Sequence, residues 1–231
     1  MTRLGSTALL LLGLLAPLLA GCVRTGEGVA IRNEDLATST SIAPSPSPTT
    51  ADAMPAAPGI VSTTRTPIPA GTVTCPQPDR VPRMAVSVAD PNAPRITLAL
   101  PAGWGGTPDT GDAATVKLSG PAGMFATVAI TQTTLEPAAA FTDYANKVMA
   151  VSAVSSVSVL PDELCGYSGQ KLMGAWSDTP QQSVEFLDRI VHVWTNENDY
   201  LVAVHVQAPT GTAGFDAAAS TLIGDFAVEI P

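Results

Sequence analysis

The stretch from Thr38 to Thr72 constrains the fold of this chain more than any other, because it cannot fold by itself. It consists mainly of serine, threonine, alanine and proline, with seven prolines between Pro44 and Pro69. Proline removes a backbone donor, and so polar a segment buries too little apolar surface to offset its ordering entropy. We therefore predict a disordered tether over residues 22–72 and a folded domain over residues 73–231.

The segment before the tether has the pattern of an export signal. Arg3 is followed by an apolar run from Leu9 to Leu19, which is too short to span the ~30 Å hydrocarbon core of a membrane as a helix. The run ends in Leu19-Ala20-Gly21-Cys22, where small residues precede a cysteine, as at the cleavage site of a bacterial lipoprotein. We predict that residues 1–21 are removed as a signal peptide and that the Cys22 thiol receives a lipid. The alternative is an uncleaved N-terminal anchor.

The charge of the chain disfavours one class of partner. The chain has 11 Lys and Arg against 20 Asp and Glu, a net charge of −9, and loss of Arg3 with the leader makes it −10. An acidic surface repels phosphate backbones, so we expect no nucleic-acid partner. The expected location is the outer face of the cell membrane, which the protein contacts through its N-terminal lipid.

Hydrophobic periodicity in the remaining chain predicts strands and two helices. Strands are expected over residues 83–89, 95–100, 114–118, 125–133, 157–160, 169–176, 183–195 and 200–207. A helix is expected over 137–151, with Pro137 at its first position. A second helix should begin at Thr212 as its N-cap and bury one face formed by Phe215, Ala219, Leu222, Ile223 and Phe226. This order indicates an α+β fold, a mostly antiparallel sheet with helices packed on its faces.

Two cysteines remain once Cys22 carries a lipid. An even pair in an exported protein usually forms a disulfide, so we predict a Cys75–Cys165 bridge that ties the start of the domain to the middle of its sheet. The alternative is two free, buried thiols.

The two histidines, His192 and His205, lie on the predicted hairpin near the C-terminus. If Thr195 pairs with Tyr200, both imidazoles fall on one sheet face as diagonal neighbours, and Asp188 shares that face. A zinc site of these three side chains is conceivable, but such histidines usually form only hydrogen bonds, so we expect no metal and no cofactor. The polar character of this face is the best sign of a cleft.

The other candidates for binding or catalysis carry weaker signals. Trp104 and Trp194 lie at strand ends or loop edges, where tryptophan either lines a ligand groove or closes the core, and Trp176 shares this ambiguity. The sequence Gly166-Tyr167-Ser168-Gly169 lacks the spacing of a nucleophile elbow. We expect no enzyme, and we take Trp104, Trp194, His192 and His205 as candidate ligand-binding residues.

The order of these features resembles the LpqN/LpqT family of actinobacterial lipoproteins. The resemblance is carried by Leu19-Ala20-Gly21-Cys22, by the Ser/Thr/Pro tether, and by the strand Ile96 to Leu100 that ends in Pro101-Ala102-Gly103-Trp104. It implies a PsbP-like fold, an antiparallel sheet between helices. The family has no established active site, so it assigns no functional residues.

These observations favour a non-catalytic envelope lipoprotein. Its exported domain would bind a lipid, a glycolipid or a sugar, or would assist an envelope transport complex. The first alternative is a protein-interaction module for envelope or host partners, and the second is a weak hydrolase that depends on His192 or His205.

Overall fold

The computed structural model describes residues 57–76, 79, 82–106, 114–179 and 182–231. The leader, Cys22 and the tether up to residue 56 lie outside these residues, so the predictions made for them remain predictions.

The described residues form nine strands and two α-helices. In chain order the strands are β1 Arg83–Val86, β2 Arg95–Ala99, β3 Thr115–Ser119, β4 Phe125–Thr133, β5 Val154–Pro161, β6 Gly169–Ser177, β7 Ser183–Trp194, β8 Asp199–Pro209 and β9 Ala227–Glu229. The helices are α1 Pro137–Met149 and α2 Phe215–Leu222. All eight predicted strands and both predicted helices are present, and Pro137 does stand at the N-terminus of α1.

Every strand pair is antiparallel, and the strands form two sheets. The large sheet has the order β3-β4-β8-β7-β6-β5, and the small sheet has the order β1-β2-β9. The small sheet was not expected. Its third strand, β9, has only three residues, and so short a segment carries no alternating pattern from which to predict it.

Successive side chains of a strand point to opposite faces of the sheet, and in the central strands of the large sheet the side chains on both faces are largely apolar. A helix therefore packs on each face. On one face, α2 and the small sheet enclose the main core, which includes Val191, Val193, Tyr200, Val202, Val204 and Val206. The five residues predicted for the apolar face of α2 are all buried there. On the other face, α1 packs through Phe141 and Val148 against Leu172, Phe186 and Ile190. The α+β fold with helices on both sheet faces is therefore confirmed.

The N-terminus of α2 differs from the prediction. Its N-cap is Gly214 with φ 81° and not Thr212. The Thr212 hydroxyl instead donates to the carbonyl of Pro209 at 2.5 Å. A tight turn at the end of β8 requires a left-handed residue just before the helix, and glycine adopts that conformation without steric cost.

Residues 57–72, which were predicted as the end of the tether, pack on the domain. The amide of Gly169 donates to the carbonyl of Gly59 at 2.9 Å, and the amide of Val61 donates to Ser168 Oγ at 3.1 Å. The Asn196 side chain both accepts from the amide of Ile68 and donates to its carbonyl, each at 2.8 Å. Residues 57–72 therefore belong to the packed domain, because polar groups at one end of the large sheet form hydrogen bonds with this proline-restricted backbone.

The cysteine prediction is confirmed. Cys75 and Cys165 form a disulfide, with their Cα atoms 5.7 Å apart. It joins the chain ahead of β1 to the loop between β5 and β6. Neither helix in the described part of the chain is long and apolar enough to cross a membrane.

Candidate functional site

Two recesses of the described surface lie between α1 and the large sheet. Two adjoining cavities of about 320 and 280 Å³ share Ala129, Tyr144, Lys147 and Ala203 as lining residues. We call them together the α1 groove. They exist because α1 packs on the β6–β7 side of the sheet, where Phe141 and its partners lie. The small side chains of Ala129 and Ala203 leave the β4–β8 side open.

The two halves of the α1 groove have different lining residues. The smaller half lies between the N-terminal turns of α1 and the sheet, and its own lining residues are Thr131, Gln132, Thr133, Leu135, Ala140, Asp143 and Leu201. The larger half lies under the C-terminal turns, and its own lining residues are Thr115, Thr127, Val148, Val151, Trp176, His205 and Gln207. Both halves thus combine aliphatic walls with hydrogen-bonding groups, and we call the half that contains the His205 imidazole the polar end.

A hydrogen-bonded chain of four side chains lies beside the polar end. Asp188 is completely buried, and its carboxylate accepts from the Tyr144 hydroxyl at 3.1 Å and from His205 Nδ1 at 2.5 Å. His205 Nε2 lies 2.9 Å from Oε1 of Gln207. Since this amide oxygen and the carboxylate both accept, the network suits a histidine that is protonated at both ring nitrogens.

The network shifts the pKa values of its members. Burial lowers the pKa of His205, but its hydrogen bond to Asp188, the charge of Asp188 and the bond to Gln207 outweigh burial, so the net pKa is raised. The pKa of Tyr144 is raised first by burial and then by the charge of Asp188 and the hydrogen bond to it. At neutral pH the Tyr144 hydroxyl therefore remains a donor, and the raised pKa of His205 favours its protonated form beside Asp188.

Aromatic packing fixes the orientation of the His205 ring. The imidazole stacks on Trp176 with ring centroids 5.6 Å apart, and Trp176 in turn stacks on Phe186 at 4.5 Å. Phe125 approaches His205 edge-on at 6.5 Å. The polar end of the groove is thus a rigid wall, which favours binding of one ligand orientation.

Within the described residues His205 is not placed to activate a hydroxyl or thiol nucleophile. A general base must reach the hydroxyl or thiol that it activates, but both nitrogens of His205 already have partners, and no hydroxyl or thiol among the described residues is hydrogen-bonded to either. Ser168 lies elsewhere, where its hydroxyl donates to the carbonyl of Val61. Lys147, at the rim of the groove, pairs with Asp143 at 2.7 Å and leaves the rim close to neutral.

The predicted hairpin register is wrong by two residues. Val193, and not Thr195, pairs with Tyr200. Asn196 occupies a left-handed conformation with φ 74°, and the amide of Thr195 donates to the carbonyl of Asn198 at 2.9 Å, so the turn uses four residues. A shift of two residues keeps each side chain on its face.

The corrected register separates the two histidines. His192 lies opposite Leu201, and His205 lies opposite Asp188, so they share a face but are four residues apart. At ~3.3 Å per residue the separation is about 13 Å, and they are not diagonal neighbours. No group of three or more potential metal ligands occurs in the described part of the chain.

The other predicted site residues lie outside the groove. His192 and Trp194 line a separate pocket of about 270 Å³, beside Tyr167 and residues 62–64. There His192 Nε2 is 3.0 Å from the carbonyl of Leu135. Trp104 is buried in the main core. Of the four candidate ligand-binding residues, only His205 reaches the α1 groove, and Trp176, the remaining tryptophan, also lines it. Tyr144 and Gln207 were missed, although Gln207 alternates with His205 along β8.

The fold is similar to that of a solved structure, whereas comparisons by sequence find no relative. No protein-family model matches the chain, and no curated protein is similar to it in sequence. A solved structure described as LpqN, involved in cell envelope biogenesis of Mycobacterium tuberculosis, is similar with a TM-score of 0.49 and 16% identity over 64% of this chain and 91% of that one. A likeness of this degree carries no conclusion about function, and membership of the LpqN/LpqT family stays a prediction.

Proposed function

We propose that this protein is a non-catalytic envelope lipoprotein whose domain binds an amphipathic lipid or glycolipid in the α1 groove. The observation that carries the proposal is the groove itself, which combines aliphatic walls with a rigid hydrogen-bonding wall at its polar end. In this proposal the lipid on Cys22 holds the protein at the outer face of the membrane. An envelope transport complex is the natural source or acceptor of such a ligand.

The dimensions and chemistry of the groove support an acyl chain with a polar head group. The lining residues of α1 run from Ala140 to Val148, and the groove continues to Val151. The eight helical steps from Ala140 to Val148, at ~1.5 Å each, correspond to about 12 Å. An acyl chain would lie along Ala129 and Ala203, where it would displace water from apolar walls. A head group with hydroxyl or acidic groups would meet His205, Gln207 and Lys147.

The position of Ala129 provides a direct test. It lies at the centre of the α1 groove, lines both cavities and is half-buried, so Ala129→Leu places a larger side chain in the ligand's path. Ala139→Leu is the matched control, because Ala139 is exposed on the same flank of the fold. The full chain with Cys22→Ser is titrated by native mass spectrometry with decanoate and with decyl glucoside below its micelle concentration.

We expect at least one probe to bind, and we expect Ala129→Leu to weaken that binding by about tenfold or more, equivalent to ~1.4 kcal/mol. Ala139→Leu should bind like the parent chain. Equal binding by all three proteins would contradict the proposal. So would failure of both probes to bind, together with no lipid extracted from protein purified from an actinobacterial cell.

The anchor is tested separately. In an actinobacterial cell the mature chain should begin at Cys22 and carry an acyl mass there. A product that keeps residues 1–21 and has an unmodified Cys22 would refute the anchoring part of the proposal without bearing on the groove.

A further inference from the structure

Exposed apolar side chains are concentrated at one end of the large sheet. Nine large hydrophobic side chains are exposed among the described residues, and six of them lie between residues 149 and 173: Met149, Val151, Val154, Val159, Leu160 and Met173. They belong to the C-terminal end of α1, to the turn that leads into β5, to β5 and to the neighbouring β6. A concentration of this kind usually marks an interaction surface.

The backbone of β5 is also unprotected. β5 is the last strand of the large sheet, and within the described part of the chain the backbone of residues 154–160 forms hydrogen bonds only with β6. From Val148 to Pro161 the sequence contains no charged residue. Proteins usually protect a sheet edge with charges, bulges or a covering segment. An uncharged edge of eight residues can therefore accept another extended strand.

The sequence of β5 indicates which strand fits. Antiparallel pairing of β5 with a second β5 about Val157 places Val154 of one copy opposite Leu160 of the other, and Ser156 opposite Ser158. On the α1 face Val157 meets its own counterpart, and Ser155 meets Val159. Apolar residues thus oppose apolar ones at both ends of the outer face, and serines oppose serines between them, which is the cross-strand matching that stabilises antiparallel pairs.

We propose that two copies of this chain associate through their β5 edges into one continuous twelve-stranded sheet, with the two α1 helices on the same face. The two-fold axis is perpendicular to the sheet at Val157, since only such an axis keeps corresponding faces together in this register. Because β5 carries no charge, the pairing avoids the repulsion expected from a net charge of −9 elsewhere. If the chain is also held at a membrane, confinement raises the effective concentration of the second copy.

A charge-pair experiment tests both the surface and the register. Val154 is 67% exposed and Leu160 is 44% exposed, so charged substitutions there should leave the fold intact. In the full chain with Cys22→Ser, the combination Val154→Lys with Leu160→Lys places like charges opposite each other twice in the dimer. The combination Val154→Lys with Leu160→Glu places opposite charges there. Val73→Lys is the control, because Val73 is 46% exposed on another part of the domain.

Sedimentation equilibrium should show dimers of the parent chain and of the Val73→Lys variant. We expect the dissociation constant of the Lys/Lys combination to rise by about tenfold or more, and that of the Lys/Glu combination to lie about tenfold below the Lys/Lys value. A parent chain that is monomeric up to about 1 mM, or equal dissociation constants for the two combinations, would overturn the proposal. Capture of a different protein by a chain that does not self-associate would overturn it as well.

A second measurement does not depend on the charged variants being folded. Ser156→Cys and Ser158→Cys chains, mixed and oxidised, should form a covalent dimer faster than Ser156→Cys alone, because only the mixed pair places the thiols opposite each other. Equal rates would refute the register.

Discussion

Opening the Cys75–Cys165 disulfide should remove a large part of the domain's stability. The bridge closes a loop with a sequence separation of 90 residues. In the chain-entropy treatment, restricting the unfolded chain by a loop of that length stabilises the folded state by about 4.6 kcal/mol at 25 °C. Residual structure in the unfolded chain makes the stabilisation by the disulfide smaller than this value, and measured stabilisations are typically ~2–4 kcal/mol. We expect the loss to lie in that lower range.

Three forms of the protein separate the effect of the bridge from the effect of packing. Cys75 is completely buried, so replacing it changes the core as well as the link. Reduced wild-type protein keeps both sulfur atoms and lacks only the bond, whereas Cys75→Ala combined with Cys165→Ala lacks both. Alanine is preferable to glycine because Cys165 has φ 49°, and glycine would also relieve backbone strain there.

Urea unfolding of the three forms provides the measurement. Oxidised protein should exceed reduced wild type in free energy of unfolding by about 2–4 kcal/mol, and the m-value should rise on reduction, because the released chain exposes more surface. The double-alanine form should have a slightly lower free energy of unfolding than the reduced form, because it also lacks the packing contacts of the sulfur atoms. A difference under about 1 kcal/mol with an unchanged m-value would refute the reasoning that the bridge acts on the unfolded chain.

Two further predictions concern the groove and the core. The pKa of His205 is raised above 6.5 because Asp188 outweighs the effect of burial, so its stabilising contribution is complete below about pH 6.5 and is lost as the pH rises through the folded-state pKa. The stability difference between wild type and His205→Gln should therefore shrink from about pH 6 to about pH 8, and a constant difference in urea unfolding would contradict this. Gly120→Ala would place a Cβ atom near the buried Trp104 ring, where the closest ring atom would be 2.3 Å away, and should cost about 1–3 kcal/mol. In the control Gly105→Ala the added Cβ atom meets nothing within 4 Å, so its stability should be close to that of the wild type. Thermal unfolding of both variants and of the wild type measures the two effects.

The strands were predictable where one face of the chain is buried and the other is polar. β4 runs from Phe125 to Thr133, as the alternation in its sequence indicated. α1 also matched, because its proline start and its apolar spacing are local features. β9 and the small sheet were not predictable, since three residues acquire strand geometry only by pairing with β2.

The candidate site was predictable only in part. The alternation of side chains along a strand shows which residues share a sheet face, but it does not show which residues of other strands or helices they contact. The polar face of the hairpin did lead to the groove. However, the register that places His205 beside Asp188 depends on the left-handed conformation of Asn196 in the turn. Tyr144 joins the network from α1, which is 44 residues away from Asp188 along the chain.

The amino-acid sequence by itself determined the α+β class, the eight longer strands, the two helices and the disulfide pair, because each depends on local periodicity or on a count of cysteines. Only the tertiary structure decided that residues 57–72 pack on the domain, how far apart the two histidines lie, and that a groove opens beneath α1. These features depend on contacts between segments that are distant in the chain, and such contacts leave no periodic signal in the sequence.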